Sequence, residues 1–260
     1  MTVPAITAAS GGASSAPVLV LGPSLGTAAP LWDAAAELLC EHFFVLSWDL
    51  PGHGLSRPAS EPFTVAELAD AVIVLADERD AQRFAYAGVS LGGAVGLELA
   101  LRYPERLGAV STVCSVAAFG APGAWFDRAD LVRQQSTAAL VGASAKRWFG
   151  PDFVAANPRV ASALLHALSD TDDESYALCC EALAGYDVRG RLGEVGKPLL
   201  ALSGQFDPVA PSGVVEAMAR ATRRGRAVEV ADAGHLAPAE QPGRVAELLI
   251  DFFTKGTCHE

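Results

Sequence analysis

Gly88-Val89-Ser90-Leu91-Gly92 sets a serine between two glycines, each two residues away. A serine hydroxyl is a weak nucleophile at neutral pH and attacks only when a base takes its proton. His235, in Ala233-Gly234-His235-Leu236, is the best-placed base because it directly follows the last apolar strand run, 227–230. The other histidines are placed less well. His42 precedes an apolar strand, His53 lies in a turn, His166 sits within Leu164-Leu165-His166-Ala167-Leu168, and His259 is at the C-terminus. A histidine in an apolar helix is ordinarily a packing residue, and His166 is read that way. The base needs a carboxylate to fix its tautomer and to stabilise the imidazolium. Asp207, in the strand-end turn Gly204-Gln205-Phe206-Asp207-Pro208, fits that role. Asp232, close before His235, is the alternative acid and is read as a loop cap. The chemistry such a set performs is acyl transfer, cleaving a carboxylic ester-type bond.

Acyl transfer also needs donors for the oxyanion that develops in the transition state. The Leu91 N–H, at the start of the helix after the serine, is one. The Leu25 N–H, in Gly22-Pro23-Ser24-Leu25-Gly26-Thr27, is expected to be the second. The competing readings are an ordinary strand-to-helix turn with a serine N-cap at Ser90, and a plain Gly/Pro turn at 22–27. No HExxH, Walker A or G-x-G-x-x-G pattern is present, so neither a metal nor a nucleotide cofactor is implied.

Positioning these groups requires alternating strands and helices. Short apolar runs at 18–21, 43–50, 84–89, 109–113, 199–202 and 227–230 read as strands buried on both faces. Helical patterns lie between them, at 30–40, 65–78, 93–103, 212–221 and 244–253. Thr64 with Glu67 is a capping-box signature for the second of these. An edge strand near 3–8 is also expected. Such alternation implies right-handed βαβ units and a mostly parallel sheet flanked by helices. From about 119 to 186 the chain is helical without strand candidates, interrupted by Pro122, Pro151 and Pro158. That stretch reads as a lid inserted over the strand ends of one α/β domain spanning 1–260, with the core formed by 1–118 and 187–260. The order Ser90, Asp207, His235 is the order of the α/β-hydrolase fold.

Bulk properties narrow the partners. Hydrophobic residues make up 51% of the 260 residues, charged residues 19%, and the net charge is -11. That charge disfavours nucleic acid and anionic membrane surfaces and leaves a small-molecule lactone or ester as the expected partner. The five cysteines (Cys40, Cys114, Cys179, Cys180, Cys258) show no CxxC spacing. They read as reduced, mostly buried thiols, which fits the cytoplasm. The N-terminus has no signal-peptide pattern, and no apolar run is long enough for a membrane span. Oligomeric state is not legible.

The chain resembles the 3-oxoadipate enol-lactonase family of α/β-hydrolases over nearly all of the sequence after residue 17. The resemblance rests on Ser24-Leu25-Gly26-Thr27, on Asp49 with Gly52-His53-Gly54-Leu55-Ser56, and on the turn around Ser90. It rests more tellingly on the lid: Trp125 with Arg128, the stretch from Arg147-Trp148 to Phe153, and Tyr176-Ala177-Leu178-Cys179-Cys180. The chain departs from the family pattern at Pro23, Pro51 and Ala237-Pro238. The resemblance implies hydrolysis of a carboxylated enol-lactone to 3-oxoadipate, in the β-ketoadipate route of aromatic catabolism, without a cofactor. A carboxylated substrate needs a cation inside this acidic protein. Arg128, at i,i+3 from Trp125, is expected to supply it, with Arg147 as the reserve. Trp125, Trp148 and Ser24 are expected to line the substrate pocket. A carboxylesterase, a carbon–carbon hydrolase, a cofactor-free perhydrolase and a non-catalytic ligand-binding member of the fold are the alternatives.

Overall fold

The computed structural model describes residues 3–255. Seven strands form one sheet: β1 (Thr7–Gly11), β2 (Val18–Gly22), β3 (Phe44–Asp49), β4 (Phe84–Val89), β5 (Leu107–Val113), β6 (Leu199–Gly204) and β7 (Gly225–Val230). Their spatial order is β1-β3-β2-β4-β5-β6-β7. Only β1 runs antiparallel, pairing Thr7 with Asp49 and Gly11 with Val45. All later neighbours are parallel. The mostly parallel α/β architecture expected from the sequence is therefore present.

The interior strands explain their own composition. Leu19, Val20, Leu21, Val110, Leu200 and Leu202 are fully buried, because helices cover both faces of a parallel sheet. The edge strand lies at 7–11 rather than at the expected 3–8. It faces solvent, so burial selects no apolar alternation, and pairing with β3 sets its register instead.

Helices α1 (Asp33–Leu39), α2 (Val65–Asp77) and α3 (Leu91–Arg102) connect the first half of the sheet. The Thr64–Glu67 capping box forms at the start of α2, with Thr64 Oγ1 accepting from Glu67 N–H. Between β5 and β6 the chain leaves the sheet and builds α4 (Pro122–Gln135), α5 (Val141–Trp148), α6 (Phe153–Ala156), α7 (Pro158–Ser169) and α8 (Asp173–Ala184). Arg133 crosses from α4 to α8, donating to Glu174 at 2.8 and 2.7 Å and to Glu181 at 2.6 Å. Returning to the sheet, α9 (Ser212–Ala221) precedes β7, and α10 (Ala237–Glu240) and α11 (Pro242–Lys255) complete the described chain. Among the described residues no helix is long and apolar enough to cross a membrane.

Because β2, β4, β5, β6 and β7 are parallel, the loops at their carboxyl ends share one edge of the sheet. Residues 23–27, Ser90, Cys114, Asp207 and His235 all emerge there, and the helical insertion starts and ends on the same edge.

Candidate active site

Ser90 directly follows β4 and directly precedes α3, with φ 54° and ψ -113°. A non-glycine residue rarely holds that conformation, and strain of this kind persists only where the surroundings fix it. Here Ser90 N–H donates to Val113 O at 2.9 Å, and Ser115 Oγ donates to Ser90 O at 2.7 Å. The flanking glycines are needed for space. A Cβ on Gly88 would lie 2.3 Å from the backbone of Gly92, and one on Gly92 would lie 2.6 Å from Pro23 O. A strained, braced serine is not what an N-cap requires, and its side chain makes no capping bond.

His235 and Asp207 meet at the same edge of the sheet. The His235 Nδ1 lies 2.9 Å from Asp207 Oδ2, and both side chains are almost wholly buried. Burial pushes the Asp207 carboxyl up. The charge and hydrogen bond of His235, with the amides of Val209 and Ala210, outweigh that and leave its pKa below the ordinary value. Asp232 is exposed and serves its own loop, where its N–H donates to Gln205 Oε1 at 3.0 Å. The carboxylate brought to the imidazole is thus Asp207. No hydrogen bond joins Ser90 Oγ to the His235 ring among the described residues. This contact is often long in ligand-free enzymes and tightens on binding.

Cys114 lies beneath the pair with its thiol donating to Gly234 O at 3.6 Å. Its Sγ, an Asp207 oxygen and a His235 nitrogen lie within 4.8 Å of one another. This set is poorly suited to a metal. Burial, and then the Asp207 charge, push the thiol well above its ordinary pKa, whereas metal ligation needs a thiolate.

The loop 23–27 closes the other side. Ser24 N–H donates to Thr27 Oγ1 at 3.0 Å and Gly26 N–H donates to His53 Nε2 at 3.1 Å. The Leu25 N–H, between them, and the Leu91 N–H, in the first position of α3, donate to no protein group in these turns. His53, weighed as a base from sequence, has another task. With its Nδ1 on Pro51 O at 2.8 Å, its Nε2 is an acceptor that holds the loop. Asp49 braces the same region, accepting from Ala29 N–H at 2.7 Å and Leu55 N–H at 2.9 Å. The Asp-x-x-Gly-His-Gly-x-Ser segment is therefore scaffolding for the 23–27 loop.

The insertion packs directly on this loop. A Cβ on Gly26 (φ +79°) would lie 2.6 Å from Leu168 Cδ1, 3.2 Å from Tyr176 and 3.4 Å from Trp148. Tyr176 also stacks on His53, with ring centroids 6.3 Å apart. Trp148 is buried, and Trp125 donates to Phe119 O at 2.5 Å. The Arg128 guanidinium lies 4.9 Å over the Trp125 ring, at a cavity of about 240 Å³ that Phe119, Trp125 and Val209 also line. Arg147 is half-buried nearby, and burial followed by the charge of Arg128 lowers its pKa. Neither arginine forms an ion pair with a carboxylate among the described residues. Glu240 was not singled out from sequence, yet its buried carboxylate touches the His235 loop. The available signal was a lone acid amid Pro238-Ala239-Glu240-Gln241-Pro242.

Comparison with known proteins identifies the family of the chain. Residues 17–242 match the family model described as the alpha/beta hydrolase fold. The chain is 34% identical to 3-oxoadipate enol-lactonase 2 of Acinetobacter baylyi, covering 89% of this chain and 86% of that one. It is 31% identical to 3-oxoadipate enol-lactonase 1 of the same organism, covering 93% and 90%. The crystal structure of the enol-lactonase from Burkholderia xenovorans superimposes with a TM-score of 0.92 at 32% identity, covering 96% of each chain.

Proposed function

The chain belongs to the α/β-hydrolase fold family, and from that footing we propose that it is a serine hydrolase opening a small carboxylated enol-lactone. The reaction would take 3-oxoadipate enol-lactone to 3-oxoadipate through an acyl-enzyme on Ser90. His235 removes the Ser90 proton as the hydroxyl attacks the lactone carbonyl, while Asp207 holds the Nδ1 proton and stabilises the imidazolium. The Leu25 and Leu91 N–H groups receive the tetrahedral oxyanion. His235 returns the proton to the departing enol oxygen, water cleaves the acyl-enzyme, and the freed enol tautomerises to the ketone.

The observation that carries the substrate reading is the arginine pair. Burial, and then the charge of Arg128, lower the proton affinity of Arg147 inside a protein of net charge -11, and neither guanidinium has a carboxylate ion-pair partner among the described residues. A substrate carboxylate would relieve that repulsion. Tyr176 links the pair to the chemistry, because it senses both guanidinium charges and packs on Gly26 and His53. Trp125 lines the cavity beside Arg128, Trp148 packs against Gly26, and Ser24 orders the turn that presents Leu25. The helical insertion acts as a lid on a single catalytic domain. Cys40, Cys114, Cys179 and Cys180 are free, in keeping with a cytoplasmic enzyme, while Cys258 and His259 lie outside the described residues. The acidic surface directs the protein toward a small molecule rather than nucleic acid or membrane.

A coupled assay that generates the enol-lactone in situ tests the reading against p-nitrophenyl esters and vinylogous diketones. We expect kcat/KM to be highest for the lactone. A neutral ester turned over faster would make the protein a carboxylesterase. Ser90→Ala retaining more than about a thousandth of the wild-type rate would remove the nucleophile assignment.

A further inference from the structure

The loop that carries His235 is fastened to the insertion, and one side chain makes two of the bonds. The Trp148 carbonyl, at the end of α5, accepts from His235 N–H at 2.9 Å and from Leu236 N–H at 3.2 Å. Glu240, at the end of α10, accepts from Gly150 N–H at 2.7 Å through Oε2 and from Gly234 N–H at 2.9 Å through Oε1. These bonds close a ring running Glu240, Gly150, Phe149, Trp148, His235, Gly234 and back to Glu240. The two glycines permit the approach. A Cβ on Gly234 would lie 2.7 Å from Gly150 N and 2.8 Å from Trp148 O, and one on Gly150 would lie 3.2 Å from Glu240 Oε2.

We propose that Glu240 is a positioning residue whose forked carboxylate locks the Trp148–Gly150 turn to the His235 loop, making that turn part of the mounting of the base. The role of His235 as base rests on the function proposed above; the clamp itself does not. Three considerations lead here. A buried carboxylate is costly unless its oxygens are occupied, and Glu240, only 7% exposed, has both oxygens on backbone donors. It forms no ion pair among the described residues, and the ionisable group acting on it is His235. The bonds also lie on either side of the catalytic position: Glu240 holds residue 234 and Trp148 holds residues 235 and 236. A general base must keep its ring within a few tenths of an ångström of the productive geometry. It follows that any lid opening hinges outside 148–150, and that this turn moves only together with the base.

The test compares Glu240→Ala with Glu240→Gln, whose amide oxygen keeps one acceptor. Steady-state kinetics and the rate of Ser90 labelling by a fluorophosphonate are both read, with thermal melting to establish folding. Glu240→Ala should lower kcat and the labelling rate together, on the order of a hundredfold, with KM changed less than about threefold. Glu240→Gln should recover a substantial part of both. A folded Glu240→Ala variant that labels and turns over like wild type, or loses only KM, overturns the proposal.

Backbone amide exchange on the wild-type protein supplies an independent reading if the alanine variant does not fold. The Gly150 and Gly234 amides should exchange as slowly as those of β6. Exchange as fast as that of the exposed α4 surface overturns the clamp. Wild-type protein that fluorophosphonate fails to label would overturn the ester-hydrolase reading and leave the exchange result to judge the clamp alone.

Discussion

The Nδ1 of His235 meets the Oδ2 of Asp207 across 2.9 Å, although 28 residues separate them in the chain. The Asp207 carboxyl is held below its ordinary pKa and, once ionised, can only accept, so it favours an imidazole proton on Nδ1. The tautomer required by the base role proposed for His235 is thus the one that Asp207 favours.

Asp207→Asn should therefore lower kcat by roughly 10³–10⁴-fold with little change in KM, because an amide can stabilise the wrong tautomer. A depressed carboxylate pKa stabilises the fold above its unfolded value near 4, and that contribution is lost as pH falls through the folded pKa. Urea unfolding below about pH 4 should accordingly show a smaller acid penalty in the variant than in wild type. Equal kcat for the two proteins would remove Asp207 from the mechanism.

The arginine pair predicts a selective loss. Arg128→Ala and Arg147→Ala should each reduce kcat/KM for a carboxylated lactone by roughly 10–100-fold, the range expected for a lost charged hydrogen bond. Neutral p-nitrophenyl esters should lose far less. Parallel losses on both substrates would show that the guanidiniums hold the lid rather than the ligand.

His53 predicts a pH window. Burial lowers its pKa to about 4, against the opposing pull of the Pro51 carbonyl and Asp172. The unfolded chain takes up this proton near pH 6.5 while the folded one refuses it. Stability from His53 is therefore complete above about 6.5 and declines on acidification. The loss is on the order of 3 kcal/mol by the time pH reaches the folded value. Denaturant titrations at intervals between pH 7.5 and 4 should show this slope, and His53→Gln should flatten it. Identical slopes would mean that other groups govern the acid transition.

Gly26 predicts a packing effect. Alanine there meets both a positive φ and the Leu168 side chain at 2.6 Å. We expect Gly26→Ala to cost about 1–3 kcal/mol of stability. It should also reduce kcat, since the displaced loop carries Leu25. A thermal melt unchanged from wild type would show that the insertion yields freely at this point.

Local patterns decided much of this protein in advance. Gly88-x-Ser90-x-Gly92 after an apolar run identifies the elbow because only glycines leave room for the crossing of β4 and α3, a requirement visible in one dimension. The apolar runs of the interior strands were legible because a parallel sheet buries both faces, and Thr64 with Glu67 because a capping box is a contact between near neighbours. Where no burial acts, the signal fades: β1 was displaced along the chain because partner pairing, not side-chain pattern, sets an exposed edge.

Tertiary structure alone settled which long-range contacts are made. Sequence left Asp232 open beside Asp207, and the sheet decided between them by aiming only one carboxylate at the imidazole. It cast His53 as a weak base candidate, whereas packing turned that ring into an acceptor for Gly26. It passed over Glu240, because a carboxylate that grips two amides from separate segments leaves no periodicity or spacing in its own neighbourhood. Pattern records what each residue needs locally, while the identity of its distant partner exists only once the chain has closed.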